Sequence, residues 1–237
     1  GALWFVGFAV VGTVVSMGVP LVAAARPGLR LVRNPLPDLA ETMKVVLADR
    51  TLLFTILGNM HFYLLVACLQ INLPDYALQE LQLTSRAGAG SLAATATLGI
   101  GLGSVLAGRW SGGRVELGLV PLGALTMSVG LAGLALVEVV PLPVPGGWAR
   151  WMAAADGGMM QAALDQLLVH GLWAPFAACL VMGIAGGLYI VPLWALLQQS
   201  APAGQKGRFL AFGNMVGFLG IALSAVWALN RAGICGA

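Results

Sequence analysis

Six long runs of apolar residues, separated by short gaps that collect nearly every charge, organise this chain. The runs are Ala2 to Ala25, Thr51 to Leu73, Ala87 to Gly108, Leu117 to Val140, Leu172 to Gln198 and Phe209 to Asn230. Each reaches the roughly 20 residues that a helix needs to cross a bilayer. Each is apolar on all sides, unlike the alternating strands of about 10 residues that build a membrane barrel. The pattern predicts an all-α membrane protein with six transmembrane helices.

The gaps carry the orientation. Arg26, Arg30, Arg33, Lys44 and Arg50 lie in the first, Arg109 and Arg114 in the third, Lys206 and Arg208 in the fifth, whereas Arg86, Arg150 and Arg231 are all that the other gaps and the tail hold. This alternation is the positive-inside pattern, and it places the odd-numbered gaps in the cytoplasm. In the first gap Asp38 can cap a helix, with Glu41 returning a bond to its amide, so a short amphipathic helix is expected to run to about Asp49. The second gap is short and external. The fourth, Pro141 to Gly171, opens with three prolines that cannot continue a helix. It then presents Trp148 and Trp151 as interfacial anchors, and its Met159 to His170 stretch is either a surface-lying helix or a loop.

Composition narrows the class further. With 59% hydrophobic residues, 9% charged residues and a mean hydropathy of +0.91, the chain has too little polar surface for a soluble globule of this length. The basic residues form neither a stripe nor a motif, which argues against nucleic-acid binding. Cys68, Cys179 and Cys235 lack CxxC spacing and read as small apolar residues. The chain opens on Gly1, directly in an apolar run without a charged leader, and reads as a fragment of a longer protein.

Candidate chemistry is sparse. His61 and His170 are too few for a metal site. There is no GxSxG elbow, Gly99-Ile-Gly101-Leu-Gly103 has no preceding strand, and the Gly204 to Gly207 stretch is not a phosphate loop. An enzymatic role for this segment, a cofactor and a metal are therefore not expected. No Asp, Glu, Lys or Arg occupies the middle third of any run, so no proton relay is evident; Glu116 and Glu138 sit at the two ends of the fourth. His61, inside the second run, reads as packed or cavity-facing.

Two kinds of position inside the runs stand out. Asn59, Tyr63, Val66 and Gln70 fall at i, i+4, i+7 and i+11 and share one helical face; with Gln198, Gln199 and Asn214 they either bond between helices or contact substrate. Gly99 with Gly103 and Gly213 with Gly217 make GxxxG pairs, and Gly183, Gly186 and Gly187 cluster. Such faces serve static packing or a rocking interface.

The stretch Gly103-Ser-Val-Leu-Ala-Gly108-Arg109-Trp-Ser111-Gly-Gly-Arg114, closed by Glu116, resembles the glycine-and-arginine loop of the major facilitator superfamily, a cytoplasmic gate element. Pro20 to Gly28, Gly183 to Gln198 with its Val-Pro-Leu-Trp-Ala-Leu-Leu-Gln run, and Glu116 to Gly123 are similar to the bacterial lysophospholipid transporter family. They are similar also to the permease domains fused to phospholipid acyltransferase and acyl-carrier-protein synthetase modules.

The resemblance implies that residues 1–25 are the last helix of an N-terminal half, 26–50 the cytoplasmic linker, and 51–237 a C-terminal half lacking its final helix. It further implies a bacterial inner-membrane carrier that flips lysophospholipid inward for reacylation by a fused or associated acyltransferase. Its partners would be membrane lipids and the lysophospholipid. Asn59, Tyr63, Gln70, Gln198 and Asn214 would line its cavity, and Gly103, Gly108, Arg109, Arg114 and Glu116 would form its gate. An arginine stands in that family where Gln70 aligns. The alternatives are another facilitator efflux or solute permease, or the membrane anchor of a bifunctional acyltransferase.

Overall fold

A computed structural model describes residues 2–18, 36–81, 86–136 and 173–235. Seven helices account for nearly all of them: α1 (Ala2–Met17), α2 (Leu36–Ala48), α3 (Arg50–Gln79), α4 (Arg86–Ser111), α5 (Leu119–Leu136), α6 (Trp173–Ser200) and α7 (Lys206–Cys235). Among the described residues there is no strand. Four helices are long and apolar enough to cross a membrane, within Arg50–Gln79, Gly90–Ser111, Trp173–Ser200 and Lys206–Asn230, and α5 is a shorter apolar helix. The structure thus gives an all-α membrane protein. The Arg26 to Arg33 cluster, Glu138, Trp148, Trp151 and the whole fourth gap with His170 lie outside the described residues.

The chain divides into two units, Gly1–Pro37 and Asp38–Ala237. In the first, α1 is apolar throughout. Its Thr13 and Ser16 hydroxyls donate to the carbonyls of Ala9 (2.8 Å) and Thr13 (2.7 Å), which hides their polarity within the helix.

The second unit is a bundle built around α6. Two-thirds of the α6 membrane window is buried, against about one-third for the windows of α3, α4 and α7. Helices α4 and α5 pack along α6 most extensively, α3 touches it too, and α7 is held mainly by α3. Outward-facing residues such as Phe54, Leu98, Leu125, Val129, Phe218 and Leu229 are more than two-thirds exposed and apolar, the surface that a bilayer covers.

Glycine sets the closest approaches. Gly99 and Gly103 of α4 face Gly183 and Gly187 of α6. A β-carbon at Gly99 would stand 2.5 Å from the Leu180 carbonyl oxygen and 2.9 Å from the Gly183 α-carbon, and one at Gly187 would stand 2.6 Å from the Ile100 carbonyl. The two backbones therefore meet with no side chain between them. Gly123 of α5 admits α6 in the same way, 2.8 Å from the Ala185 carbonyl.

One end of the bundle gathers the charge. The helix α2 lays Leu39, Thr42 and Val46, at i, i+3 and i+7, against it, and Val46 joins a core with Leu52, Ile56, Leu197, Phe209 and Phe212. Asp49 caps α3, its carboxylate accepting from the amides of Thr51 (2.8 Å) and Leu52 (3.3 Å). The capping box expected at Asp38 and Glu41 does not form. The helix α2 starts two residues earlier, at Leu36, with Pro37 suited to its first turn, and Glu41 turns instead to Arg208.

Candidate functional site

Two of the cavities lined by the described residues of the second unit bear on function. The first is an apolar cleft between α3, α4, α5 and α6, about 50 Å³ in volume. Phe62, Val66, Leu69 and Gln70 of α3, Thr97 of α4 and Met182 of α6 are among its walls. Gly183 and Gly186 of α6 also line it, Gly183 packed against the α4 backbone and Gly186 facing the Phe62 ring. Phe62 is stacked on Tyr189 with centroids 6.1 Å apart, and the Tyr189 hydroxyl donates to the Gly58 carbonyl at 3.2 Å, pinning α6 to α3 below the cleft. Above it, the Tyr76 hydroxyl donates to the Leu134 carbonyl at 3.0 Å and ties α3 to α5. Pro74 sits inside α3 and has no amide hydrogen, so the Gln70 carbonyl lacks its ordinary i+4 donor. Gln70 thus brings an exposed side-chain amide and a freed carbonyl to an otherwise apolar wall.

The second cavity is wider, about 420 Å³, and lies at the charged end. Gly108 and Ser111 come from the end of α4, Arg114 from the turn that follows, Gln198 and Gln199 from the end of α6, and Lys206 from the start of α7. The turn depends on Gly112 and Gly113, whose φ angles of +52° and +83° lie in the left-handed region that favours glycine. No Asp or Glu is among the residues that line this pocket.

Beside this pocket, Arg208 has a different task. Its Nε donates to Thr42 Oγ1 at 2.5 Å and its Nη2 to Glu41 Oε2 at 3.0 Å and to the Asp38 carbonyl. This clamps α2 to the start of α7. Arg208 drew notice in the sequence only as a topogenic charge. The signal available was its place in the first turn of a helix, where the dipole disfavours a cation unless an anion is close.

The residues expected to line a single cavity are distributed over several environments. Val66 and Gln70 line the apolar cleft, and Gln198 lines the charged pocket. Asn59 is fully buried in α3 and lines neither cavity; its side-chain oxygen and nitrogen have no hydrogen-bond partner. Tyr63, half-buried, packs its ring over Gly217, where a β-carbon would lie 2.7 Å from the ring. Asn214 is exposed on α7, and His61 is exposed on α3. Of the expected gate residues, Gly108 and Arg114 join Gln198 in the charged pocket. Gly103 is buried against Ile184, and Arg109 and Glu116 are exposed. Neither Gly123 nor Tyr189 stands out in the sequence, whereas Gly183 and Gly187, which the sequence shows as a cluster with Gly186, are the pair that meets α4.

Fold and cavities define an all-α membrane protein whose polar groups gather at helix ends and on cavity walls. No family model, curated protein or solved structure matches the chain.

Proposed function

We propose that this chain is part of a facilitator-type carrier that moves lysophospholipid towards the cytoplasmic leaflet, where reacylation can follow. The observation that carries the reading is the order of helix pairing in the second unit. With the charged end cytoplasmic, α3, α4 and α5 run out, in and out, and α6 and α7 run in and out. The helix α3 pairs with α7, and α4 pairs with α6. Exchanging first with fourth and second with fifth converts one pairing into the other, the relation expected of two inverted three-helix repeats. On this reading α6 is the first helix of the second repeat.

The substrate class follows from the cavity walls. The apolar cleft occupies the external half of the bundle, along α3 from Phe62 to Leu73 and along α4 from Ala93 to Ile100, which suits an acyl chain entering from the outer leaflet. Gln70 supplies the polar contact that a head group near that chain needs. The turn at Gly108, Arg109, Arg114 and Glu116 is the proposed cytoplasmic gate, and bacterial inner-membrane residence belongs to the same proposal.

Uptake of labelled lysophosphatidylethanolamine by cells that lack their own transporter and express the full-length protein tests the reading. Uptake above the empty-vector level is expected. Uptake equal to that level in cells shown to contain the protein in the membrane would overturn it.

A further inference from the structure

We infer that the charged pocket binds the phosphate of an anionic glycerophospholipid from the cytoplasmic leaflet. The inference stands on the membrane placement of the helices and does not need the transport reading. Arg114 and Lys206 supply two positive charges to one cavity of about 420 Å³, and no carboxylate lines it. Neither cation makes an ion pair among the described residues, where the ion pair found is Arg208 with Glu41.

Lys206 is also the first residue of a 30-residue helix that has no acid in its first turn. There the helix dipole and the ammonium repel each other, so an anion in the pocket relieves both at once. Arg208, two residues on, shows how this end of α7 satisfies such a charge, by recruiting Glu41. Lys206 has no such partner.

A phosphate diester also fits the neutral groups. Ser111, Gln198 and Gln199 offer hydroxyl and amide donors around the two cations, and charge-assisted bonds to phosphate oxygens are the strong ones. Depth selects a lipid over a soluble anion. The pocket lies at the ends of two apolar helices of membrane-spanning length, α4 ending at Ser111 and α6 at Ser200. Trp110, 57% exposed, marks the same level as an interfacial side chain. Val191, Pro192 and Ala195 give the pocket an apolar wall for the glycerol and the first methylenes.

The test is binding of fluorescent phosphatidylglycerol to the purified full-length protein in zwitterionic detergent, with phosphatidylcholine, inorganic phosphate and glycerol 3-phosphate as competitors. Phosphatidylglycerol should bind at least five-fold more tightly than phosphatidylcholine. The double substitution Arg114→Gln with Lys206→Gln should remove that preference. Arg114→Lys should keep most of it, and Lys44→Gln, exposed on α2 away from the pocket, should leave it unchanged. Both pocket cations are exposed, so the single substitutions serve if the double variant is unstable. Equal binding of the two lipids, or a double variant that binds like the parent, would overturn the inference. So would displacement by inorganic phosphate or glycerol 3-phosphate as effective as that by unlabelled lipid, because the ligand would then be a soluble anion.

Discussion

Two of the long seams of the bundle, α4 with α6 and α3 with α7, both use glycine, and they use it differently. Between α4 and α6, glycine meets glycine: Gly99 and Gly103 lie on Gly183 and Gly187, and backbone touches backbone. Between α3 and α7, glycine meets a side chain at one contact and backbone at another: the Tyr63 ring covers Gly217, whereas a β-carbon at Gly220 would stand 2.6 Å from the Met60 carbonyl oxygen and 3.3 Å from both the Leu64 nitrogen and the Met60 side chain. The first seam has nothing that can swing aside. The second can yield where the Tyr63 ring covers Gly217, and it belongs to the helix that carries Asn59, whose buried side chain has no hydrogen-bond partner. A small residue thus makes a rigid contact or an adjustable one depending on what it faces, and in the α7 seam the adjustable contact is the one at Gly217.

The contrast predicts a graded response to substitution. Gly183→Ala should do the most damage. A β-carbon there would stand 2.8 Å from the Gly99 α-carbon and 2.9 Å from the Ile100 nitrogen, so the helices must separate, at about 3 kcal/mol, the upper end of ordinary overpacking. Thermal unfolding in detergent would show a much lower midpoint; a midpoint within a degree of the parent would remove the distinction between the seams. Gly217→Ala should cost about 1 kcal/mol, because the Tyr63 ring can turn away, and Tyr63→Leu in the same chain should recover most of it. Failure of that rescue would show that backbone, not the ring, limits this seam.

Smaller effects locate the remaining ties. Arg208→Gln removes the clamp on α2. Its side chain is 26% exposed and that of Glu41 67%, so screening by water holds the global loss to about 1 kcal/mol or less. Hydrogen exchange should read it locally, as faster exchange of amides in α2 with those of α4 unchanged. Uniform acceleration in both helices would mean that the clamp supports the whole bundle. Asn59→Leu should be neutral or stabilising by roughly 1 kcal/mol, since it removes a buried polar group without a partner. A loss of 2 kcal/mol or more would contradict the unpaired state of that amide.

What was legible in the sequence is the length and polarity of the runs. Four of the six appear as helices long enough to span, and the basic residues of the third and fifth gaps, with Lys44 and Arg50, gather at one end of the bundle. Which face of each helix turns inward was far less legible, for a physical reason. In lipid the outside of a bundle is as apolar as its inside, so hydropathy along α6 carries no mark of its central position. Polar residues were the guide, and they divided. Gln70 lines a cavity between α3, α4, α5 and α6, whereas Asn59, on the same stripe, is closed into the core. The Asp38 cap was misplaced because a carboxylate three residues before another looks the same whether it serves its own helix or, as Glu41 does, an arginine 167 positions away. The union of Gly108, Arg114, Gln198 and Lys206 in one pocket needed the fold, since nothing local links the ends of α4 and α6.

The central claim is movement of a lysophospholipid across the bilayer. Purified full-length protein in liposomes that carry a trace of fluorescent lysophosphatidylethanolamine in the outer leaflet tests it directly, with albumin extraction as the readout. The account predicts that the extractable fraction falls with time and with protein content, and that Gln70→Leu slows the fall at least several-fold without loss of folded protein. An extractable fraction that follows protein-free liposomes throughout would contradict it.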